Sequence, residues 1–428
     1  MPLGSYALGT SPYGSINSNA AGPAQATQVE PLVLPESIPK LPENNWEGGV
    51  EVETIYLTDV TVSESLAEDR MSLRTRPVRR ISNRFTGMSQ EKSKQILMSL
   101  ARKGSNRLVY PIFSDKAKLT SAYTASASTI SCPTSHRRFY TGARILITEE
   151  GGMAITVIRG IGSEALTIDP VSSSFSPDAR VYPLIDCEID LASTLNNITD
   201  YHVEIDFNAY EVSGLSALPS TTPSATQQFK NYPVMTVPVN WAFGQTTGMV
   251  RAGARANFDR STVVITHGPR PQHQFNCEFL SLSRGDLWEI LNFFDTRKGR
   301  ARAFWVLSYM TLWELSAVTT KTITVNKGVN LEDIDDFIGH IGIVKKDGTH
   351  ILATVANVED IGNDFLITTV EDLPSLSVSD IQLITSAHLV RYTNDSMVER
   401  WTTDETCETS FQLIELLDET DVILTGVS

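Results

Sequence analysis

Arg76-Pro-Val-Arg-Arg-Ile-Ser-Asn-Arg-Phe-Thr-Gly-Met-Ser89 is answered later in the chain by Arg270-Pro-Gln-His-Gln-Phe-Asn-Cys-Glu-Phe-Leu-Ser-Leu-Ser283, a shift of 194 positions (270 − 76). Each stretch reads as a strand leading into a helix, and each helix closes on the same three letters, Arg102-Lys103-Gly104 and Arg297-Lys298-Gly299. An Asn-Trp pair opens both halves, at Asn45-Trp46 and Asn240-Trp241. Order and period agree over most of the 428 residues, which predicts a tandem of one module. Duplication doubles surfaces and assembly contacts more readily than it doubles a catalytic pocket, so a scaffold is expected rather than a one-site enzyme.

Around the repeated stretch the elements follow from periodicity. Leu287, Ile290, Leu291 and Phe294 fall at i, i+3, i+4 and i+7 behind Ser283-x-x-Asp286, an amphipathic helix with a capping box. The helix of the first half starts after Ser89 and carries Ile96, Leu97, Leu100 and Ala101. Gly104 and Gly299, behind their Arg-Lys pairs, fit left-handed C-terminal caps. Buried strands are expected next, at Arg107-Leu-Val-Tyr-Pro-Ile-Phe113 and Arg302-Ala-Phe-Trp-Val-Leu307. Upstream, the alternation from Val50 to Val62 predicts a half-buried strand. Each half then inserts short strands and turns, at about 118–191 and 316–392, with Glu149-Glu-Gly-Gly152 and Asp347-Gly348 as hairpin signals; a small barrel of five or six strands is expected in each. Late strands at 201–207 and 410–415 return to the parent sheet.

The domain plan is an extended arm over 1–40, a first module over 41–210, a Ser/Thr/Pro-rich linker over 211–230 and a second module over 231–428. The fold class expected is mainly β with one helix per module, each module a β-sandwich with an inserted small β-barrel.

Formal charge is −15, from 50 acidic and 35 basic residues, which disfavours contact with a phosphate backbone. The basic run Arg74, Arg76, Arg79, Arg80 and Arg84, placed on a strand, reads as an intersubunit or intermodule contact, with a nucleic-acid patch as the alternative. No apolar run of about 18 residues and no basic-then-apolar start is present, so a soluble chain is expected. Cys132, Cys187, Cys277 and Cys407 stand far apart without C-x-x-C, the pattern of structural thiols and not of a zinc ribbon, an iron–sulfur site or a disulfide framework.

Catalytic motifs are missing: no G-x-S-x-G, H-E-x-x-H, P-loop or G-x-G-x-x-G at a strand–helix junction. His267 and His273, with Cys277, make an imaginable metal pair, but Pro269 and Pro271 interrupt any strand joining them, so surface or interface histidines are expected and no metal or cofactor. The acidic residues Glu332, Asp333, Asp335 and Asp336 lack the alternation and central Gly of a calcium loop. Phe293, Phe294, Phe304, Trp305, Trp313, Trp241 and Trp401 fit core and interface anchors, with a sugar platform as the competing reading.

Phe293-Phe294-Asp-Thr-Arg297-Lys-Gly299-Arg-Ala-Arg-Ala303-Phe304-Trp305 resembles the helix-to-strand signature of minor tail and distal tail proteins of long-tailed bacteriophages. The first half keeps Arg102, Gly104, Val109 and Tyr110 of the pattern but has Ser99 and Leu100 where the aromatic pair would stand. The resemblance implies tail-tube-like modules assembled in a ring at the tail tip or baseplate. Its partners would be further copies of the chain, as a trimer or alternatively a hexamer, the tail tube protein, and hub or fibre proteins. Structural roles alone carry over, to Arg297, Gly299, Phe304 and Trp305 and to Arg102, Gly104 and Tyr110. The alternatives are a glycan-binding or glycan-cleaving attachment protein and a tail tube subunit.

Overall fold

Alternation decides the first strand: in Val50–Ile55, Val50, Val52 and Thr54 are buried while Glu51 faces solvent, the period-two burial of a sheet with one wet face. Cys407–Glu415 repeats this, every second residue being buried. The computed structural model describes residues 46, 49–63, 66–89, 91, 107–150, 152–189, 195–197, 199, 202–212, 227–237, 245–250, 253–257, 262–266, 271–281, 283–310, 313–326 and 339–417. These residues are mainly β, with a large antiparallel sheet network and, among the described residues, one α-helix, Arg284–Arg297. The arm at 1–40, the helix expected after Ser89 apart from Glu91, positions 213–226 of the linker, Trp241 and the 332–336 acidic cluster lie outside the described residues.

Strand pairings run in the same order in both halves. In the first, Val50–Ile55 lies against Val78–Ser89 (Val50 opposite Asn83), and that strand against His202–Glu211 (Asn83 opposite Phe207). The end of His202–Glu211 meets Arg180–Ile189 (Glu211 opposite Cys187), which pairs with Arg107–Pro111 (Ile185 opposite Tyr110). In the second, Gln245–Val250 lies against Gln272–Ser281 (Gln245 opposite Cys277), and that strand against Cys407–Glu415 (Cys277 opposite Phe411). The end of Cys407–Glu415 meets Ile381–Tyr392 (Glu415 opposite Val390), which pairs with Phe304–Leu307 (His388 opposite Val306).

Each long central strand serves two sheets. Residues 180–183 pair with Arg144–Glu149 and residues 184–188 with Arg107–Pro111; likewise 381–386 pair with His340–Lys345 and 387–390 with Phe304–Leu307. The smaller strands surround their own apolar clusters, one with Ile130, Phe139, Ile147 and Leu166, the other with Trp313, Ile323, Ile341 and Phe365. Gly348, at φ +83, closes the Asp347-Gly348 turn between His340–Lys345 and His350–Asp360, where a left-handed residue is required.

The halves share one sheet and one core. Val50–Ile55 pairs on its other side with Ser396–Trp401 (Val50 opposite Trp401), which in turn pairs with Cys407–Glu415. Beneath lie Tyr56, Tyr110, Phe294, Tyr392 and Trp401 in a single cluster, closed by the helix through Leu287, Ile290, Leu291 and Phe294.

Some expected elements are shorter. The run from Val50 to Val62 breaks at Tyr56-Leu57 into Val50–Ile55 and Thr58–Val62, because Tyr56 turns inward and its hydroxyl donates to Asp295 Oδ1 at 2.8 Å. The strand from Arg107 stops at Pro111, where a 3-10 turn over Phe113–Asp115 begins. Phe304, rather than Arg302, opens its strand. Arg74 and Arg76 precede the strand that carries Arg79, Arg80 and Arg84.

Candidate functional site

The helix end singled out from sequence is the bolt between the halves. Ser283 caps the helix, its hydroxyl accepting from Asp286 N, and Lys298 closes it in a left-handed conformation. Burial, with Arg302 nearby, pulls the pKa of Arg297 below its ordinary value, while its guanidinium lies over the Phe293 ring at 5.6 Å. Gly299 follows at φ +64, and a Cβ there would stand 2.6 Å from Asp395 Oδ1. That carboxylate is fully used: it accepts from Arg300 N at 3.0 Å, Thr58 N at 2.7 Å and Thr58 Oγ1 at 2.8 Å. Phe304 and Trp305 are buried, and Trp305 Nε1 donates to Phe229 O. Tyr110 is buried in the first half, its hydroxyl accepting from Asn83 Nδ2 at 2.8 Å; Arg102 and Gly104 lie outside the described residues.

A buried charge network crosses the same junction. Arg138 pairs with Asp115 at 3.1 Å and, across the halves, with Glu399. Arg284 Nη2 reaches Asp115 Oδ1, and its Nη1 donates to Ser114 O and Asp404 O, each at 2.7 Å. Burial alone would raise the pKa of Asp115, but the Arg138 and Arg284 guanidinium groups outweigh it and hold the carboxyl below its ordinary value. Such a network gains little over an apolar core of the same shape, whereas loss of one member strands the others. It ties the helix start and the Ser114–Asp115 turn to Glu399 and Asp404.

The charged partners of the basic run lie in its own half and not across the junction. Arg79 is buried against Glu211 and Tyr140, Arg80 pairs with Glu53, and Arg84 with Glu204 and Asp206. Phe304, Trp305, Trp313 and Trp401 are core residues, so they provide no sugar platform. All four cysteines are free and buried, and burial pushes Cys132 and Cys277 up to about 12.

One cluster was not foreseen. His273, His388 and Glu415 come from three neighbouring strands and are 9%, 5% and 2% exposed. His273 Nδ1 lies 2.8 Å from Glu415 Oε2, and His388 Nδ1 lies 2.8 Å from Glu415 Oε1. The backbone N–H of His273 also donates to Glu415 Oε2 at 3.0 Å, and Gln272 Nε2 donates to the Glu415 carbonyl. His388 Nε2 meets Ser386 Oγ at 2.8 Å. The expectation of a surface or interface histidine at position 273 is therefore corrected: the residue is interior. Its neighbours are neither His267, which lies outside the described residues, nor Cys277, which is outside the cluster, but residues more than a hundred positions away.

Arg79 and His273 hold matching places, each four residues before the partner pair Asn83–Phe207 or Cys277–Phe411, and Glu211 and Glu415 each lie four residues after it. In both halves the backbone N–H of the earlier residue donates to the carboxylate, from Arg79 to Glu211 and from His273 to Glu415.

Among the described residues no helix is long and apolar enough to cross a membrane. No family profile matches the chain, and no curated protein matches it.

Proposed function

We propose that the chain is a structural component of a bacteriophage tail tip or baseplate, part of a ring joining the tail tube to a central hub or fibres. Its halves are read as tandem tail-tube-like β-sandwich modules, each with an inserted small β-barrel. The observation that carries this reading is the junction of Val50–Ile55 with Ser396–Trp401. By pairing order, Val50–Ile55 corresponds to Gln245–Val250, and Ser396–Trp401 corresponds to Leu195–Asn197. The junction thus has a counterpart whose two sides are opposite margins of the sheet, each paired on one side among the described residues. Complementary edges of this kind make head-to-tail contacts that close into rings. Met249 and Val250 on one margin are 60% and 41% exposed, an apolar edge that assembly would cover.

Two modules per chain favour a trimer with six modules in the ring over a hexamer stacking two layers. The sheet's open face carries exposed Glu51, Arg84, Glu278, Arg400 and Glu408, as suits a wetted wall. The resemblance at Phe293–Trp305 supplies the phage assignment, with residence in the virion after synthesis in the host cytoplasm.

Repeating the register of Val50 with Trp401 sets Gln245 of one copy opposite Asn197 of the next, and Thr246 opposite Asn196. A chain with Thr246→Cys and Asn196→Cys should oxidise into linked species ending at three chains of 47.1 kDa, and neither single variant should do so. A protein that stays monomeric at high concentration, leaves no cross-link and is missing from purified virions would sink the reading.

A further inference from the structure

We propose that His273, His388 and Glu415 bind one divalent transition-metal ion of the zinc class, a site in the second half of the chain that is independent of the ring. Their three candidate ligand atoms lie within 4.8 Å of one another, and all three side chains are buried. Two imidazoles and one carboxylate are a donor set that zinc and its neighbours in the transition series accept.

The surroundings favour this use. Ser386 Oγ stands at His388 Nε2 and donates onward to Ser308 Oγ at 3.0 Å, and Ser308 Oγ meets Thr385 Oγ1 at 2.6 Å. Ser386 Oγ holds the His388 ring at Nε2, so the opposite nitrogen, Nδ1, is the one turned to the Glu415 carboxylate. At 2.8 Å from the Glu415 carboxylate, Nδ1 of His388 meets it through a shared proton or through a metal ion. Support of this kind behind a ligating imidazole fixes its tautomer and orientation.

The first half makes the same point with a permanent charge. At the matching place Arg79 Nη1 contacts Glu211 at 3.4 Å, in a site where both side chains are buried. A buried carboxylate requires a positive partner. Where the first half supplies a guanidinium, the second supplies two imidazoles. At metal–ligand distances of about 2.0–2.2 Å, the donors part by roughly half an ångström from their present 2.8 Å.

The other occupant is a proton, shared in a hydrogen-bonded triad, and the experiment separates the two. Full-length protein stripped with chelator is titrated with Co2+ and then Zn2+. The expected result is one equivalent of Co2+ per chain with visible ligand-field absorption, displaced by Zn2+, and a rise in melting temperature with either ion. Ser386→Ala should weaken Co2+ binding on the order of tenfold while leaving the fold intact, because the hydroxyl orients His388 without touching the ion. His273→Arg should fold, since it copies the Arg79–Glu211 arrangement, and should abolish the absorption. A parent protein that takes up no Co2+ or Zn2+ overturns the proposal and assigns the cluster to a proton. So does uptake that His273→Arg and His388→Ala leave unchanged.

Discussion

Arg284 Nη2, on the first turn of the helix, stands 2.5 Å from Asp115 Oδ1, joining side chains 169 positions apart inside a site where Arg138 and Glu399 are also sealed from water. Asp115→Asn leaves two guanidinium groups short of a charge partner, and a loss of about 3–5 kcal/mol is expected. Because the folded-state pKa of Asp115 is depressed, its contribution is present above the unfolded value of 3.8 and is lost as pH falls through the lower folded value. Denaturant unfolding at descending pH checks this: the parent should lose stability in acid below that point, and the Asn variant should lose less.

Gly299→Val combines a left-handed φ with a Cβ placed 2.6 Å from Asp395 Oδ1. Backbone strain alone costs about 1–2 kcal/mol, and displacing Asp395 adds the loss of its bonds to Thr58 and Arg300. A clear drop in melting temperature is expected; equal stability of variant and parent would show that the turn relaxes elsewhere.

Trp305→Phe removes the donor to Phe229 O while keeping an aromatic ring in the core. The expected cost is about 1–3 kcal/mol, from the stranded carbonyl and the smaller ring. Hydrogen exchange should quicken in residues 227–235, which Trp305 anchors, before it changes in the distant sheet around Leu166.

The four thiols should resist a polar disulfide reagent at pH 8 in the folded protein and react together on denaturation. Burial raises all four pKa values, so the thiolate population is negligible in the native state. Rapid labelling of one cysteine in the native protein would contradict its interior placement.

Local chemistry made part of this molecule readable in advance. Ser283 and Asp286 announce a helix start because capping acts over three residues, and Asp347-Gly348 announces a turn because a left-handed φ is needed at one position. The repeated strand could be read from Arg76 and Arg270 because both copies keep their alternation. The His273, His388 and Glu415 cluster could not, since it depends on which strand lies beside which and in what register. Arg79, expected at an intersubunit or intermodule contact, is instead met by Glu211 of its own half, 132 positions away, for the same reason. Even so, an equal shift applied to Arg79 would have flagged His273 as the place where a fixed charge gives way to an imidazole.

The strands Arg180–Ile189 and Ile381–Tyr392 each run unbroken from a small outer sheet into the large shared one. A pull along either strand therefore passes through covalent backbone from the outer sheet into the hydrogen bonds of the shared one.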